Sequence, residues 1–400
     1  MEKALRKGFL STSNKKKEGV GGNSRKKGDT KREGQVVSDK QASSSASNKG
    51  KDLCQRSWEE FDRSNKRPEA APSSYEIEVH PSTKSIPGEV LKYFENMNKS
   101  ILDQNSEYKE LQAVHLAKSR QEILQTAEIA CGRAPEGQPK KALLLGVGNA
   151  LDIPLQELAE RFDHLTVVEL DRTSAEQAIK KLSPDLQPKI KLVVADISGV
   201  AGEICNQIEN IVDNSDSQTK FFKRATKAIN DIKGKVTKSV PNFESGHAFV
   251  CSQLVLSQLL CDSELYIHDI AKNKYGELYN ESHDFRQEIE NLRLLVHKAH
   301  INFLASSVIP QGTVHFADTF INYGRVANTF IDRKLELMYN AKDVNKVIEA
   351  KFKQMKELTC WVFDQHKKLR LGVMSYRLEP KVSSQKSGAA SLVKPGLEVP

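Results

Sequence analysis

The chain has 400 residues, of which 38% are hydrophobic and 28% charged, enough apolar material for the core of one large domain or two smaller ones. No run of about 18 apolar residues occurs, and the opening segment MEKALRKGFLSTSNKKK lacks the apolar stretch of a secretory signal, so neither a spanning helix nor an exported chain is expected. The net charge of +8 resides entirely in residues 1–50, which hold 13 Lys/Arg against 5 Asp/Glu; the neutral remainder argues against a body built around a polyanion.

Residues 1–74 are rich in Lys, Ser, Gly, Gln and Asn and read as a disordered basic tail, unable to bury enough area to offset its ordering entropy. Lys15–Lys17 and Arg25–Lys27 are candidates for a nuclear address or for an RNA or anionic-membrane contact, the basic tail as a whole is a candidate contact for nucleic acid or a protein partner, and Trp58 and Phe61 mark a candidate docking helix. Residues 75–139 form a helical segment and linker. Val90, Leu91, Phe94, Met97, Ile101 and Leu102 recur at spacings of three and four, as do Leu111, Val114, Leu116, Ile123, Leu124 and Ala127. Gly132, Pro135, Gly137 and Pro139 then break the chain.

Strands and helices alternate from 140 to 380. Strands are predicted at Ala142–Leu145, Leu165–Glu169, Ile190–Ala195, His247–Cys251 and Thr313–Phe316. Helices are predicted at Ile153–Phe162, Ser174–Leu182, Val200–Val212 and Asp284–Leu304, with another running from the fourth strand to Leu260. Residues 213–245 break the rhythm as an insertion containing a basic amphipathic piece. A helix over Val344–Glu357 precedes strands Thr359–Phe363 and Leu369–Tyr376, joined by a turn at 365–368 that makes this last pair antiparallel. The fold class is α/β: a doubly wound, mostly parallel seven-stranded sheet with a C-terminal antiparallel strand pair and a helical N-terminal extension. Residues 381–400 read as a flexible tail.

The cysteines (Cys54, Cys131, Cys205, Cys251, Cys261 and Cys360) form no Cys-x-x-Cys pair and are read as buried, inert thiols of an intracellular protein, cytoplasmic or nuclear. His297 and His300 share a helical face without a third ligand, and read as helix-surface histidines rather than a metal site.

The strongest local signal is Leu143-Leu144-Leu145-Gly146-Val147-Gly148-Asn149-Ala150-Leu151-Asp152, an apolar strand running into Gly-x-Gly just before a helix. Glu169 ends the second strand about twenty residues beyond the glycines, where a carboxylate can accept both hydroxyls of a ribose. Asp196 ends the third strand, where a carboxylate can accept from an exocyclic amine; either acid can instead cap the helix that follows. Three such signals at consecutive strand ends point to a nucleoside. A dinucleotide fingerprint would place a third glycine where Leu151 stands, so a ligand without a pyrophosphate suits the loop better.

On these residues the stretch from about 85 to 380 resembles the class I methyltransferase superfamily, which uses S-adenosylmethionine (SAM). The resemblance implies SAM as cofactor, with Gly146, Gly148 and Asn149 in the glycine-rich loop, Glu169 on the ribose, Asp196 on the adenine side, and Ser252 at the fourth-strand segment Cys251–Leu259. Two departures make the loop degenerate: the usual acid before the glycines is Leu144, and the last glycine is Ala150. Asp152 is positioned to supply the missing charge, or to serve as a plain N-cap. The signature of amino-group methyltransferases acting on nucleic acids is absent at Ser252-Gln253-Leu254-Val255, leaving a small molecule, a protein or RNA as the acceptor class. Catalytic candidates are His268, Tyr275 and Asp318, with Gln253 and Tyr323 nearby in the pattern; the alternative is a catalytically inactive methyltransferase-like binding or scaffold subunit. Deleting residues 1–74 is expected to leave both cooperative thermal unfolding and SAM affinity unchanged, and calorimetry on the truncated chain checks this directly.

Overall fold

A computed structural model describes residues 74–84, 86–92, 95–96, 106–239, 241, 243–276, 282–323, 336–337, 341–364 and 369–381. The basic tail up to residue 73, with Trp58 and Phe61, lies outside these residues. So do Phe94, Met97, Ile101 and Leu102, the turn at 365–368 and the chain from 382 onward.

The sheet grows outward from its most apolar strand. Strand β2 (Lys141–Leu145) is hydrophobic at nearly every position because both of its faces are covered: Leu143 and Leu145 enter one core, Ala142 and Leu144 the other. It pairs in parallel with β3 (His164–Glu169) on one side and with β5 (His247–Gln253) on the other. Beyond β3 lies β4 (Ile190–Val194), and beyond β5 lies β6 (Val308–Tyr323), both parallel to their neighbours. The long strands β8 (Phe352–Asp364) and β9 (Leu369–Pro380) close that side as an antiparallel hairpin, with β9 next to β6.

Two strands were not anticipated. The short β1 (Glu76–Val79) adds to the outer edge of β4 in parallel, and the two-residue β7 (Glu336–Leu337) pairs with β6, so the sheet has nine strands instead of seven. Four residues of alternating Glu-Ile-Glu-Val are too few to stand out as a periodic pattern, and Glu76 and Glu78 are held at the edge by Lys191 of β4. The last predicted helix also ends early. It spans Ala341–Lys351, and Phe352 already begins β8, because from there the backbone pairs with β9.

Helices cover the sheet in two groups. On one face lie α1 (Ser106–Arg133), α2 (Leu155–Arg161) and α3 (Arg172–Lys180), which place Ile123, Ala127, Ala130, Leu158 and Ile179 in that core. On the other lie α4 (Ala201–Asp213), α5 (Gln218–Lys233), α6 (Cys261–Tyr275), α7 (His283–Ser307) and α8 (Ala341–Lys351). The change of face follows from right-handed crossovers: the chain steps from β2 to β4 in one direction, then returns to β5 and β6 in the other. The predicted insertion supplies α5, whose Phe221, Ala225, Ile229 and Ile232 recur at three and four and are fully buried. It is therefore part of the layer that covers the sheet. No helix among the described residues is long and apolar enough to cross a membrane.

Candidate functional site

The strand order reverses between β2 and β5. Loops leaving these two strands go to opposite faces, and the space beyond their carboxyl ends is the usual ligand position in an open α/β sheet. The segment Gly146–Asp152 follows β2 at that edge, and Ser252–Leu254 stands at the end of β5.

Gly146, Gly148 and Ala150 all take left-handed backbone conformations, with φ of 68°, 50° and 55°. The two glycines are needed for different reasons. A Cβ on Gly146 would lie 2.6 Å from Cγ2 of Val255, so packing within the protein demands its absence. A Cβ on Gly148 would meet no atom within 4 Å, which leaves open space in front of that backbone. Gly148, Asn149, Ala150, Leu151 and Asp152 are all half-buried, forming an accessible ledge.

Glu169 ties this ledge to the next strand. Its Oε2 accepts from the Gly148 amide at 2.8 Å, and its Oε1 from the amides of Leu170 and Asp171 at 2.8 and 3.0 Å. Burial pushes its carboxyl pKa up, opposed by these amides. A carboxylate has about four acceptor sites, so three amides leave room for another donor.

Asp196 serves its own loop. Oδ1 accepts from the amide and hydroxyl of Ser198 at 2.9 and 2.6 Å, and Oδ2 from the Ala201 amide at 2.9 Å, at the start of α4. It is 4% exposed, and burial raises its pKa. This is the capping role open to it in the sequence.

Opposite the ledge, strand alternation separates the side chains at the end of β5. Ser252 points toward α7, where its Oγ lies 2.9 Å from Nε2 of the buried His300. Gln253 points toward α1, where its Nε2 donates to Ser119 Oγ at 2.9 Å and its Oε1 accepts from His315 Nε2 at 3.0 Å. His315 sits on the same sheet face because its neighbour in register is Cys251, two residues before Gln253. Burial pushes the Asp152 carboxyl up to about 6, opposed by its own backbone amide, by Gln253 and by the Arg120 charge. Arg120 bridges to Glu157 of α2 at 2.9 Å.

The catalytic candidates are not brought together. Asp318, buried on β6, accepts from the Ser257 amide at 3.0 Å and so anchors the single helical turn Val255–Gln258 after β5. Tyr275 ends α6 with its hydroxyl on the carbonyls of Val212 and Ser215, at 3.1 and 2.8 Å, tying α6 to the end of α4. His268 is half-buried on α6, 3.6 Å from Asp269. The side chain of Tyr323 lies outside the described residues. His297 and His300 are buried, not on the helix surface, because α7 is covered on nearly every side; burial lowers both pKa values to about 3. No group of residues fit to hold a metal occurs among the described residues. Of the cysteines described, Cys205 and Cys251 are buried and Cys131 and Cys261 partly so, all with pKa values raised chiefly by burial.

No family model matches the chain, and no curated protein matches it. Among solved structures it is similar to magnesium protoporphyrin IX methyltransferase (ChlM) from Synechocystis PCC 6803 with bound SAM, at 9% identity over 75% of this chain and 98% of that one, TM-score 0.36. A SAM-dependent methyltransferase from Leishmania major is 8% identical over 72% of this chain and 82% of that one, TM-score 0.32. A SAM-dependent methyltransferase from Aquifex aeolicus is 8% identical over 65% and 93%, TM-score 0.30. At such identities the likeness concerns the fold alone.

Sequence reasoning did not find Ser119, Arg120 or His315. One signal was available for the first. Ser119 and His115 continue the helical stripe of Ile123, Ala127 and Ala130, and polar residues on an otherwise buried stripe mark a place where a helix meets polar groups. His315 carried no such mark.

Proposed function

We propose that the chain binds S-adenosylmethionine at the Gly146–Asp152 ledge and transfers its methyl group to an acceptor that is a small molecule, a protein or RNA. The observation that carries this reading is the junction of Gly148 and Glu169 at the reversal of strand order, where an open backbone face adjoins a carboxylate with an acceptor site to spare. Glu169 takes the ribose hydroxyls, while Gly148 and Asn149 let the ligand approach the backbone closely. The cofactor supplies an electrophilic methyl on a sulfonium. What this chain supplies is placement of the acceptor in line with that methyl and exclusion of water, which needs few dedicated catalytic groups. The acceptor side falls to the turn after β5 and to the end of β6, with Asp318 holding the turn in place.

A second reading, a methyltransferase-like binding subunit, is favoured by Asp196, which is nearly inaccessible and already accepts three hydrogen bonds from its own loop.

Titration calorimetry with SAM and S-adenosylhomocysteine tests the first reading. Glu169→Ala is expected to weaken both ligands by about 10- to 100-fold, the size of a lost charge-assisted hydrogen bond. Undiminished affinity in that variant removes Glu169 from the site. Binding without transfer of labelled methyl to any acceptor extract supports the second reading.

A further inference from the structure

The zero net charge of residues 51–400 conceals one local excess. Residues 218–239, within the basic amphipathic insertion, hold seven Lys/Arg against one Asp. Helix α5 (Gln218–Lys233) separates the two halves of that pattern. Phe221, Ala225, Ile229 and Ile232 are fully buried against the core. At about 100° per residue, Lys220, Lys223, Arg224 and Lys227 fall on the opposite side within an arc of about 100°, spanning about 10 Å along the axis before Asp231 ends the stripe, and all four are exposed. Little neutralises them. Lys220 has an exposed pair with Asp216 at 2.7 Å, and the Arg224 guanidinium donates to the uncharged carbonyl of Asn214 at 2.9 Å. Lys223 and Lys227 form no ion pair among the described residues. Lys233 and Lys235, by contrast, are paired with Glu288 and Glu203.

We propose that the outer face of α5 is a docking surface for double-stranded RNA, held by its phosphates. The inference does not depend on the SAM reading. Charge complementarity calls for a polyanion, and the rest of the face says which one. A membrane-bound amphipathic helix inserts its apolar side into lipid, but the apolar side of α5 is committed to the core. Val79 of β1 is the one exposed large hydrophobic residue among those described, so no apolar anchor stands beside the stripe. Single strands are held by stacking bases on aromatic rings, and the outer face of α5 carries none, which leaves the backbone of a duplex. A helix that reads B-form DNA enters the major groove, about 12 Å wide; α5 is packed on the core by one side and cannot enter a groove. The major groove of A-form RNA is narrow, so a helix lying across its mouth reaches phosphates of both strands without entering. The net charge of +8 in residues 1–50 supplies further cations for the same partner.

The test titrates full-length protein into a fluorescent RNA duplex of about 20 base pairs, following anisotropy across a series of salt concentrations. One variant combines Lys223→Gln, Arg224→Gln and Lys227→Gln. A second removes the same charge from the opposite face of the sheet, with Arg161→Gln, Arg172→Gln and Lys180→Gln, all exposed positions on α2 and α3. Thermal unfolding confirms that both fold. The α5 variant is expected to bind about 10- to 100-fold more weakly at low salt, with the slope of log affinity against log salt flatter by about 2 to 3. The control variant is expected to change affinity by less than about 2-fold. Equal losses in the two variants reduce the effect to net charge and overturn the surface. Undiminished binding by the α5 variant assigns the RNA to the basic tail, and absence of binding by the unaltered protein overturns the proposal outright. The same titrations with a DNA duplex of matching sequence, phosphatidylserine vesicles and polyglutamate check the choice of partner. Affinity for any of these equal to that for RNA, and lost in the α5 variant, overturns it.

Discussion

Substituting Gly146 with alanine is expected to destabilise the protein by about 2–4 kcal/mol, from a left-handed residue with a Cβ and an overpacked contact acting together. The added methyl would sit 2.6 Å from Val255 Cγ2 on a backbone with φ of 68°, and the loop must shift to relieve it. Cofactor binding is expected to be lost with it, since the displaced loop carries Gly148. The two contributions separate in a double variant. Gly146→Ala with Val255→Ala removes the contact but keeps the backbone strain, so part of the stability returns, and urea unfolding of the four proteins in the cycle measures the coupling. Strictly additive effects would show that Val255 is not what excludes a side chain at Gly146. Gly148→Ala provides the contrast: with nothing within 4 Å of its Cβ, it is expected to cost only about 1 kcal/mol of folding while still blocking the ligand.

Acidification is expected to weaken the fold substantially between pH 7.5 and 5.5. His297, His300 and His315 have folded pKa values lowered to about 3 and His115 to about 4, in each case chiefly by burial. With the unfolded value near 6.5, the unfolded chain binds more protons throughout that window. Their stabilisation is therefore complete above pH 6.5 and is lost as pH falls toward 3. Each such histidine loses about 1.4 kcal/mol over those two pH units. Asp152 and Asp262 act in the opposite direction, because burial raises both to about 6, so they take up protons in the folded state first and return about 0.8 kcal/mol each. Glu169, Asp196 and Glu264, also raised by burial, oppose the histidines too. The histidines outweigh the two aspartates, and a net loss of about 4 kcal/mol is expected from these six groups, a large fraction of a typical domain's stability. Urea midpoints at the two pH values measure it, and His300→Gln should flatten the dependence by about one proton. A midpoint that rises at pH 5.5 would mean these histidines are not held neutral in the fold.

Local order was legible in the sequence wherever a short-range pattern carried it. The apolar run of β2, the glycines that follow, and the acids ending β3 and β4 all stand where chain-order reasoning put them, because strand and turn propensities act over a few residues. The parallel sheet with two covered faces and an antiparallel closing pair followed from the alternation of strand and helix, since right-handed crossovers allow few other arrangements. Strand β1 and the early end of α8 escaped, because each depends on a partner strand far away in the chain. His297 and His300 show the same limit. Helical spacing put them on one face, but only the packing of α7 against the sheet buried that face.

The sequence by itself determined the α/β architecture, the position of the glycine loop and the acids that surround it. Tertiary structure alone decided what those residues do. It turned Asp196 inward to hold the start of α4, and set Glu169 on the amide of Gly148. It brought Ser119 and His315 to Gln253 from separate elements. The physical reason is range: backbone preferences and hydrophobic period act between neighbours in the chain, whereas a hydrogen bond between residues 119 and 253 exists only once two faces of a sheet have been covered.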